Sequence, residues 1–151
     1  MKENNSVKLY NVIFPVWMLI LFPSFWLIVF PANFIVDSLV LIISMYALKV
    51  AEKKLWYKKH ILWVFGFGML SDIIGALYML GFLMLFENYN IDVDDPILTV
   101  PALLISAVLI FVLNYFVTFR KDEKTLRLKS ALIFAIATAP YTFFIPIEWM
   151  Y

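Results

Sequence analysis

The run of residues 61–86 contains a single charged side chain, Asp72. A helix needs about 20 consecutive apolar residues to cross a bilayer, and a soluble domain rarely holds an apolar run this long. The run therefore predicts a transmembrane helix. The composition also indicates a membrane protein, because 64% of the 151 residues are hydrophobic, compared with about 45–50% in a typical soluble domain. We expect one transmembrane domain that uses the whole chain, 1–151.

Further apolar runs on both sides of this segment predict an all-α polytopic membrane protein, a bundle of five transmembrane helices. An eight-residue repeat beginning Phe-Pro places prolines at 15, 23 and 31. Pro23 is expected to kink the first span, and Pro31 to end it in a tight turn over 31–33. The predicted spans are about 9–30, 32–50, 61–86, 100–119 and 130–147.

The ends of the last two spans also carry signals. Thr99 is a plausible N-cap for the fourth span, and Pro101 fits the first turn of a helix that begins there. Pro140 is expected to kink the fifth span and to free the carbonyl of Ile136, which then needs another partner. The prolines therefore predict two bent spans, the first and the fifth.

Charge patterning predicts the orientation of the spans. All 12 lysine and arginine residues fall in three segments, 1–8, 49–60 and 120–129, which the five spans place on one side. By the positive-inside rule the N-terminus is cytoplasmic and the C-terminus is outside. The basic-aromatic segment 49–60 is interpreted as a membrane-surface anchor, with His60 at the interface, and we expect no nucleic-acid partner.

Asp72 is the most informative polar residue of the chain. It lies ~16 Å along its helix from Ile61, near the middle of a bilayer, where an ionised carboxylate costs at least ~2.5 kcal/mol. Gly68, Ser71 and Gly75 share its face, and small residues allow another helix to approach closely. Three interpretations stay open: an acid that only locks helix packing, a proton or cation site, and a contact with a partner protein.

Polar residues on two other spans extend the candidate site. Asn33, Asp37 and Ser44 form one stripe of the second span, and Asp37 is expected ~8 Å from its outer end. Asn114 and Thr118 share a face near the inner end of the fourth span. Lys49, at the inner end of the second span, is the one lysine or arginine that the predicted spans include, so Asp37 lacks a cationic partner at its own depth. Hydrated capping by Asp37 and interhelical hydrogen bonds from Asn114 and Thr118 are the structural alternatives.

Two functions from different classes fit this pattern. The first is a proton- or cation-linked transporter or channel subunit, with Asp72 as the central site, Asp37 as the outer access group and Asn114 as the inner one. Five helices make a thin bundle, so we expect a homo-oligomer. The second is an accessory or structural subunit of a larger membrane complex, which it would dock through the face formed by Gly68, Ser71, Asp72 and Gly75.

Other chemistry has few candidate residues. The chain has no cysteine and one histidine, which excludes disulfides, thiolate sites and multi-histidine metal sites. We expect no metal and no cofactor, and we expect the lipid bilayer as a partner. An enzymatic role is disfavoured, because Asp37 and Asp72 are expected to differ in depth by ~13 Å, too far for an aspartyl pair.

Two short segments carry a family resemblance. They are Phe-Pro-Ala-Asn-Phe-Ile-Val-Asp-Ser-Leu-Val at 30–40 and Thr-Ala-Pro-Tyr-Thr-Phe-Phe-Ile-Pro at 138–146. Both resemble segments of a family of small bacterial multi-pass membrane proteins with no assigned activity. The resemblance implies a multi-pass fold and a location in the bacterial cytoplasmic membrane, and it implies no mechanism.

Overall fold

The computed structural model describes residues 23–86, 91 and 95–144. The prediction of an all-helical chain is confirmed over these residues. They form four α-helices, with a π-helical turn at Asn114–Thr118 and a 3₁₀ turn at Tyr141–Phe144. The α-helices are α1 (Pro23–Ala47), α2 (Lys53–Leu85), α3 (Pro96–Leu113) and α4 (Lys124–Ala137).

Three segments of the described chain are long and apolar enough to span a membrane: Phe30–Ala47, Lys53–Leu85 and Pro96–Thr118. They also turn many large apolar side chains outward, where water would penalise them and lipid would not. Examples among these exposed side chains are Leu39, Ile43, Leu62, Leu77, Leu104 and Val108. Length, composition and the apolar surface together indicate a membrane location.

The expected turn at 31–33 is wrong, and with it the boundary between predicted spans 9–30 and 32–50. Helix α1 continues through Pro31. A proline removes one helical hydrogen bond, but a membrane helix tolerates that loss when neighbouring helices hold it in place. Here the rings of Phe30 and Phe34 flank Pro31 and both pack edge-on against Phe65 of α2, with centroid distances of 6.1 and 5.6 Å. Tertiary packing therefore overrides the proline signal.

Pro23, expected to kink a span, is the first described residue of α1. Residues 1–22 lie outside the described part of the chain, and so does most of the predicted first span. The count of five spans and the orientation of the two termini therefore stay predictions.

Helix α1 ends in a Schellman turn at residues 45–50. The Lys49 N–H donates to the Tyr46 carbonyl at 3.2 Å, and the Val50 N–H donates to the Met45 carbonyl at 3.0 Å. Lys49 adopts the left-handed conformation, with φ 54°, as this motif requires of the residue after the cap. Helix α2 then begins at Lys53, eight residues before the predicted start at 61, because the basic run 53–60 is itself helical.

Helix α3 begins at Pro96, so the prediction of Thr99 as N-cap is wrong. The cap is Asp95, whose Oδ1 accepts a hydrogen bond from the Ile97 N–H at 2.9 Å. Asp95 is a strong capping residue and Pro96 suits the first helical position, so this pair starts the helix one turn earlier than predicted. Pro101 consequently lies inside the helix.

Helix α4 ends at Ala137, so Pro140 follows the helix instead of kinking it. A proline disfavours helical conformation in the preceding residue, which explains the early end of the predicted span 130–147. The Ile136 carbonyl was expected to lack a helical hydrogen-bond donor. It accepts a hydrogen bond from the nearby Tyr141 hydroxyl instead.

The four helices close into a ring in which α2 packs between α1 and α3, and α4 packs against α3 and α1. Short connections join α1 to α2 and α3 to α4, so these neighbours are antiparallel. The centre holds one fully buried residue from each helix, and these residues belong to one contact cluster. We call this set the apolar layer: Leu41, Val64, Ile110 and Phe134.

An acidic cavity between the helices

A small cavity lies where α1 and α2 meet the end of α4. Its volume is about 30 Å³, enough for one or two water molecules. Both acids that the sequence placed within the spans face it, together with neighbours from both helices. The lining residues are Asn33, Val36, Asp37, Gly68, Met69, Asp72 and Thr138.

The expected difference in depth between Asp37 and Asp72 is wrong, because both side chains line this one cavity. Gly68 makes the approach of α1 possible: a Cβ atom at Gly68 would lie 3.4 Å from Asp37 Oδ2. Side chains tilt toward the N-terminus of their own helix, so in antiparallel helices Asp37 and Asp72 lean toward each other. The error came from treating Pro31 as a helix end, which put Asp37 near the membrane surface.

The cavity is acidic without being neutralised. Asp37 is only 5% exposed, and Asp72 Oδ1 is buried without a hydrogen-bond partner in the described chain. No lysine or arginine of the described chain lines the cavity, and the described ion pairs all involve Asp122 instead. Two facing carboxylates repel each other when both are ionised, and a proton, a cation or water between them relieves that repulsion.

Asn33 and Thr138 complete the polar lining. The Asn33 Nδ2 donates to Met69 Sδ at 3.0 Å, which ties α1 to α2 beside the acids. The Thr138 hydroxyl donates to the Phe134 carbonyl at 2.8 Å, so its lone pairs stay available to a ligand in the cavity. Sequence reasoning missed Thr138, because it was assigned to the interior of a span and not to the end of one.

Ser71 and Gly75 pack against α3. Ser106 Oγ donates to the Ser71 carbonyl at 3.0 Å, and a Cβ atom at Gly75 would overlap Ser106 Oγ. With Gly68 against Asp37, the small residues of this face are covered by α1 and α3 of the same chain, while Asp72 is half-buried. Docking of a larger complex through this face, the accessory-subunit hypothesis, would have to displace these contacts.

Three predicted site residues lie away from the cavity. Ser44 is buried and donates to the Val40 carbonyl at 2.7 Å. Asn114 Nδ2 donates to the Ile110 carbonyl at 2.9 Å, while Asn114 Oδ1 and Thr118 Oγ1 are buried without partners in the described chain. The structure thus unites Asn33, Asp37 and Asp72, and it separates them from Ser44, Asn114 and Thr118.

A second polar cluster, which we call the Asp122 cluster, ties the start of α2 to the connection between α3 and α4. Asp122 Oδ2 accepts from Trp56 Nε1 at 3.0 Å, and Asp122 Oδ1 lies 3.3 Å from Lys59 Nζ. His60 was expected at the interface but is fully buried, with Nδ1 2.7 Å from the Trp56 carbonyl oxygen and Nε2 3.3 Å from Asp122 Oδ2. The Trp56 and Phe119 rings stack beside it at 5.5 Å.

Replacing Asp122 by alanine should destabilise the fold, because Trp56 Nε1 would lose its partner. A buried donor left unsatisfied costs about 1–3 kcal/mol. We expect a clear drop in the melting temperature of the purified protein in detergent. The neighbouring exposed Glu123, whose side chain makes no capping hydrogen bond, is the control: Glu123→Ala should leave the melting temperature almost unchanged. Equal shifts for both variants would contradict this role of Asp122.

Comparison with known proteins adds no assignment to this site. No family model, curated protein or solved structure matches the chain. The described residues also contain no group of three or more histidine, cysteine or acidic side chains that could hold a metal.

Proposed function

We propose that this protein is a membrane transporter or channel subunit that moves protons or small cations, with Asp37 and Asp72 together as its central site. The observation that carries the proposal is the shared cavity: two carboxylates from adjacent membrane helices face it, and none of its described lining residues is cationic. A purely structural acid would be expected to have a hydrogen-bond partner, yet Asp72 Oδ1 has none in the described chain.

The roles of the polar residues change from the linear path expected from sequence. Asp37 becomes a member of the central site instead of an outer access group. Asn33 and Thr138 supply further oxygen atoms at the same cavity, and a cavity for one or two waters allows a proton or a small cation to be exchanged. Asn114 and Thr118 remain candidates for a separate inner polar region.

We also propose the cell membrane, and specifically the bacterial cytoplasmic membrane, as the location. By the positive-inside rule, the connections 48–52 and 119–123 face the cytoplasm, because they lie in or beside the basic segments. The connection between α2 and α3 faces outward. A bundle of this size leaves little room for a continuous pathway, so we propose that the active form is a homo-oligomer.

Flux into liposomes tests the proposal. The purified protein is reconstituted, a pH gradient is imposed at a fixed membrane potential, and a trapped pH-sensitive dye reports proton entry. Parallel experiments replace the proton gradient with a Na⁺ or K⁺ gradient. Wild-type protein should dissipate at least one of these gradients. Asp37→Asn and Asp72→Asn should each slow it at least about tenfold, which corresponds to ~1.4 kcal/mol in barrier height.

The matched control is Glu123→Gln, which removes an exposed acid outside the cavity and should leave the flux unchanged. Flux that is equal in wild type and in both aspartate variants would show that the cavity is not the pathway. If the wild-type protein supports no flux under any gradient, the transport function is wrong. Native co-purification of a larger membrane complex would then favour an accessory role, through a surface other than the covered face of α2.

A further inference from the structure

We infer that the apolar layer is a gate that closes the acidic cavity toward the end of the bundle formed by connections 48–52 and 119–123. The inference rests on the proposed function, since a gate matters only where the site exchanges an ion. In the closed conformation, the layer blocks access to the carboxylates from this end of the bundle.

The position of the apolar layer follows from the helix register. Leu41 lies one turn beyond the cavity on α1, Val64 one turn before it on α2, and Phe134 one turn before it on α4. Because the neighbouring helices are antiparallel, all three steps lead toward the same end of the bundle. Ile110 of α3 completes the layer. Each of these side chains is at most 1% exposed, and they belong to one packed cluster.

Buried polar groups also lie on the other side of the layer, toward connections 48–52 and 119–123. Asn114 Oδ1, Thr118 Oγ1 and Ser130 Oγ are all buried there, and none has a hydrogen-bond partner in the described chain. Buried polar atoms in such a state are commonly satisfied by ordered water. The order of environments along the bundle is thus an acidic cavity, an apolar layer and a region where these polar atoms lie among apolar side chains such as Trp56 and Phe119. Apolar constrictions between polar regions gate membrane pathways by excluding water.

The layer also lies beside a break in helical regularity. The π-helical turn Asn114–Thr118 begins one turn after Ile110, and the Phe119 N–H donates to the Asn114 carbonyl at 2.9 Å, five residues back. Such turns are rare in helices and occur frequently at functional sites. A return of this turn to regular α-helix would rotate one side of α3 relative to the other, which would move Ile110 relative to Asn114.

Cysteine accessibility tests the gate without requiring flux. The chain has no cysteine, so Thr138→Cys provides one reporter thiol in the cavity. Ag⁺, a cation small enough for the cavity, labels accessible thiols when it is added on the basic-loop side of oriented vesicles, with exposed Lys124→Cys as the positive control for that side. With the layer intact, Thr138→Cys should stay unlabelled from this side. In a Phe134→Ala background that protection should be lost.

Two controls distinguish gating from unfolding. Leu132→Ala alters an exposed side chain of the same helix and should keep Thr138→Cys protected. Ser106→Cys reports on the buried contact between α2 and α3, and it should stay unlabelled in the Phe134→Ala background. If it becomes labelled, that variant has unfolded and the milder Val64→Ala replaces it.

Labelling of Thr138→Cys from the basic-loop side with the layer intact would overturn the inference. Continued protection in folded gate variants would overturn it as well. The proposed function and the gate can fail separately. If the labelling pattern is as expected but the wild-type protein supports no flux, the transport function is wrong and the layer is still closed. If there is flux but Thr138→Cys is labelled from both sides, transport is supported and the gate is wrong.

Discussion

Gly75→Leu should disrupt the packing of α2 against α3 more than any other single substitution at a glycine of this chain. Even a Cβ atom at this position would overlap Ser106 Oγ, and it would lie 3.0 Å from the Phe143 ring. The remaining atoms of leucine have no space unless the helices separate. That separation would break the bond from Ser106 to the Ser71 carbonyl and open the cluster of Met79, Leu98 and Ala102. Overpacking of this kind costs about 1–3 kcal/mol, occasionally more.

The measurement is the melting temperature in detergent, with Gly75→Ala as a graded variant. Gly81 lies on the same helix, and a Cβ atom there would meet no atom of the described residues within 4 Å. Gly81→Ala should therefore raise stability slightly, by about 0.5–1 kcal/mol, because alanine restricts the unfolded chain. Combining Ser106→Ala with Gly75→Ala should recover part of the loss. Similar effects at Gly75 and Gly81 would show that α2 and α3 are not in close contact.

Much of this fold was predictable because a bilayer restricts what an apolar chain can do. The long run around Asp72 predicted a membrane helix, and α2 contains residues 61–85 of it. The small residues beside Asp72 predicted a close helix contact, and Gly75 lies against Ser106. What the sequence did not show is where helices end. Proline is a strong local signal, but Pro31 is held inside α1 by the packing of its aromatic neighbours against Phe65.

The uncertainty about helix ends also explains why the sequence placed the two acids of the site apart. Depth along a helix was measured from a helix end at Pro31 that does not exist, so Asp37 and Asp72 were placed in different layers. Only the register between α1 and α2 brings the two carboxylates to one cavity, and register depends on contacts such as Asn33 with Met69. His60 was misplaced for a related reason. Its basic neighbours suggested an interface, while its actual surroundings depend on Asp122, which is 62 residues further along the chain.

Replacing either cavity acid by leucine should stabilise the protein while abolishing its flux. Leucine has the branching of aspartate and is larger, so it would also fill the adjoining cavity, and it needs no proton, cation or water. A charged residue at the centre of a membrane helix costs about 2.5–3.5 kcal/mol, so Asp37→Leu and Asp72→Leu should each recover a substantial part of that free energy. We expect a higher melting temperature in both variants and no gradient dissipation in liposomes.

The same substitution at Asp95 provides a control of opposite sign. Asp95 caps α3 through its bond to the Ile97 N–H, and loss of such a cap costs about 0.5–2 kcal/mol. Asp95→Leu should therefore lower the melting temperature. If Asp37→Leu and Asp72→Leu also lower it, the two acids hold the helices together and the packing interpretation is correct. Stabilisation with loss of flux is the result expected where stability has been given up for function. The direction of the change in melting temperature, more than the loss of flux alone, distinguishes a functional acid from a structural one.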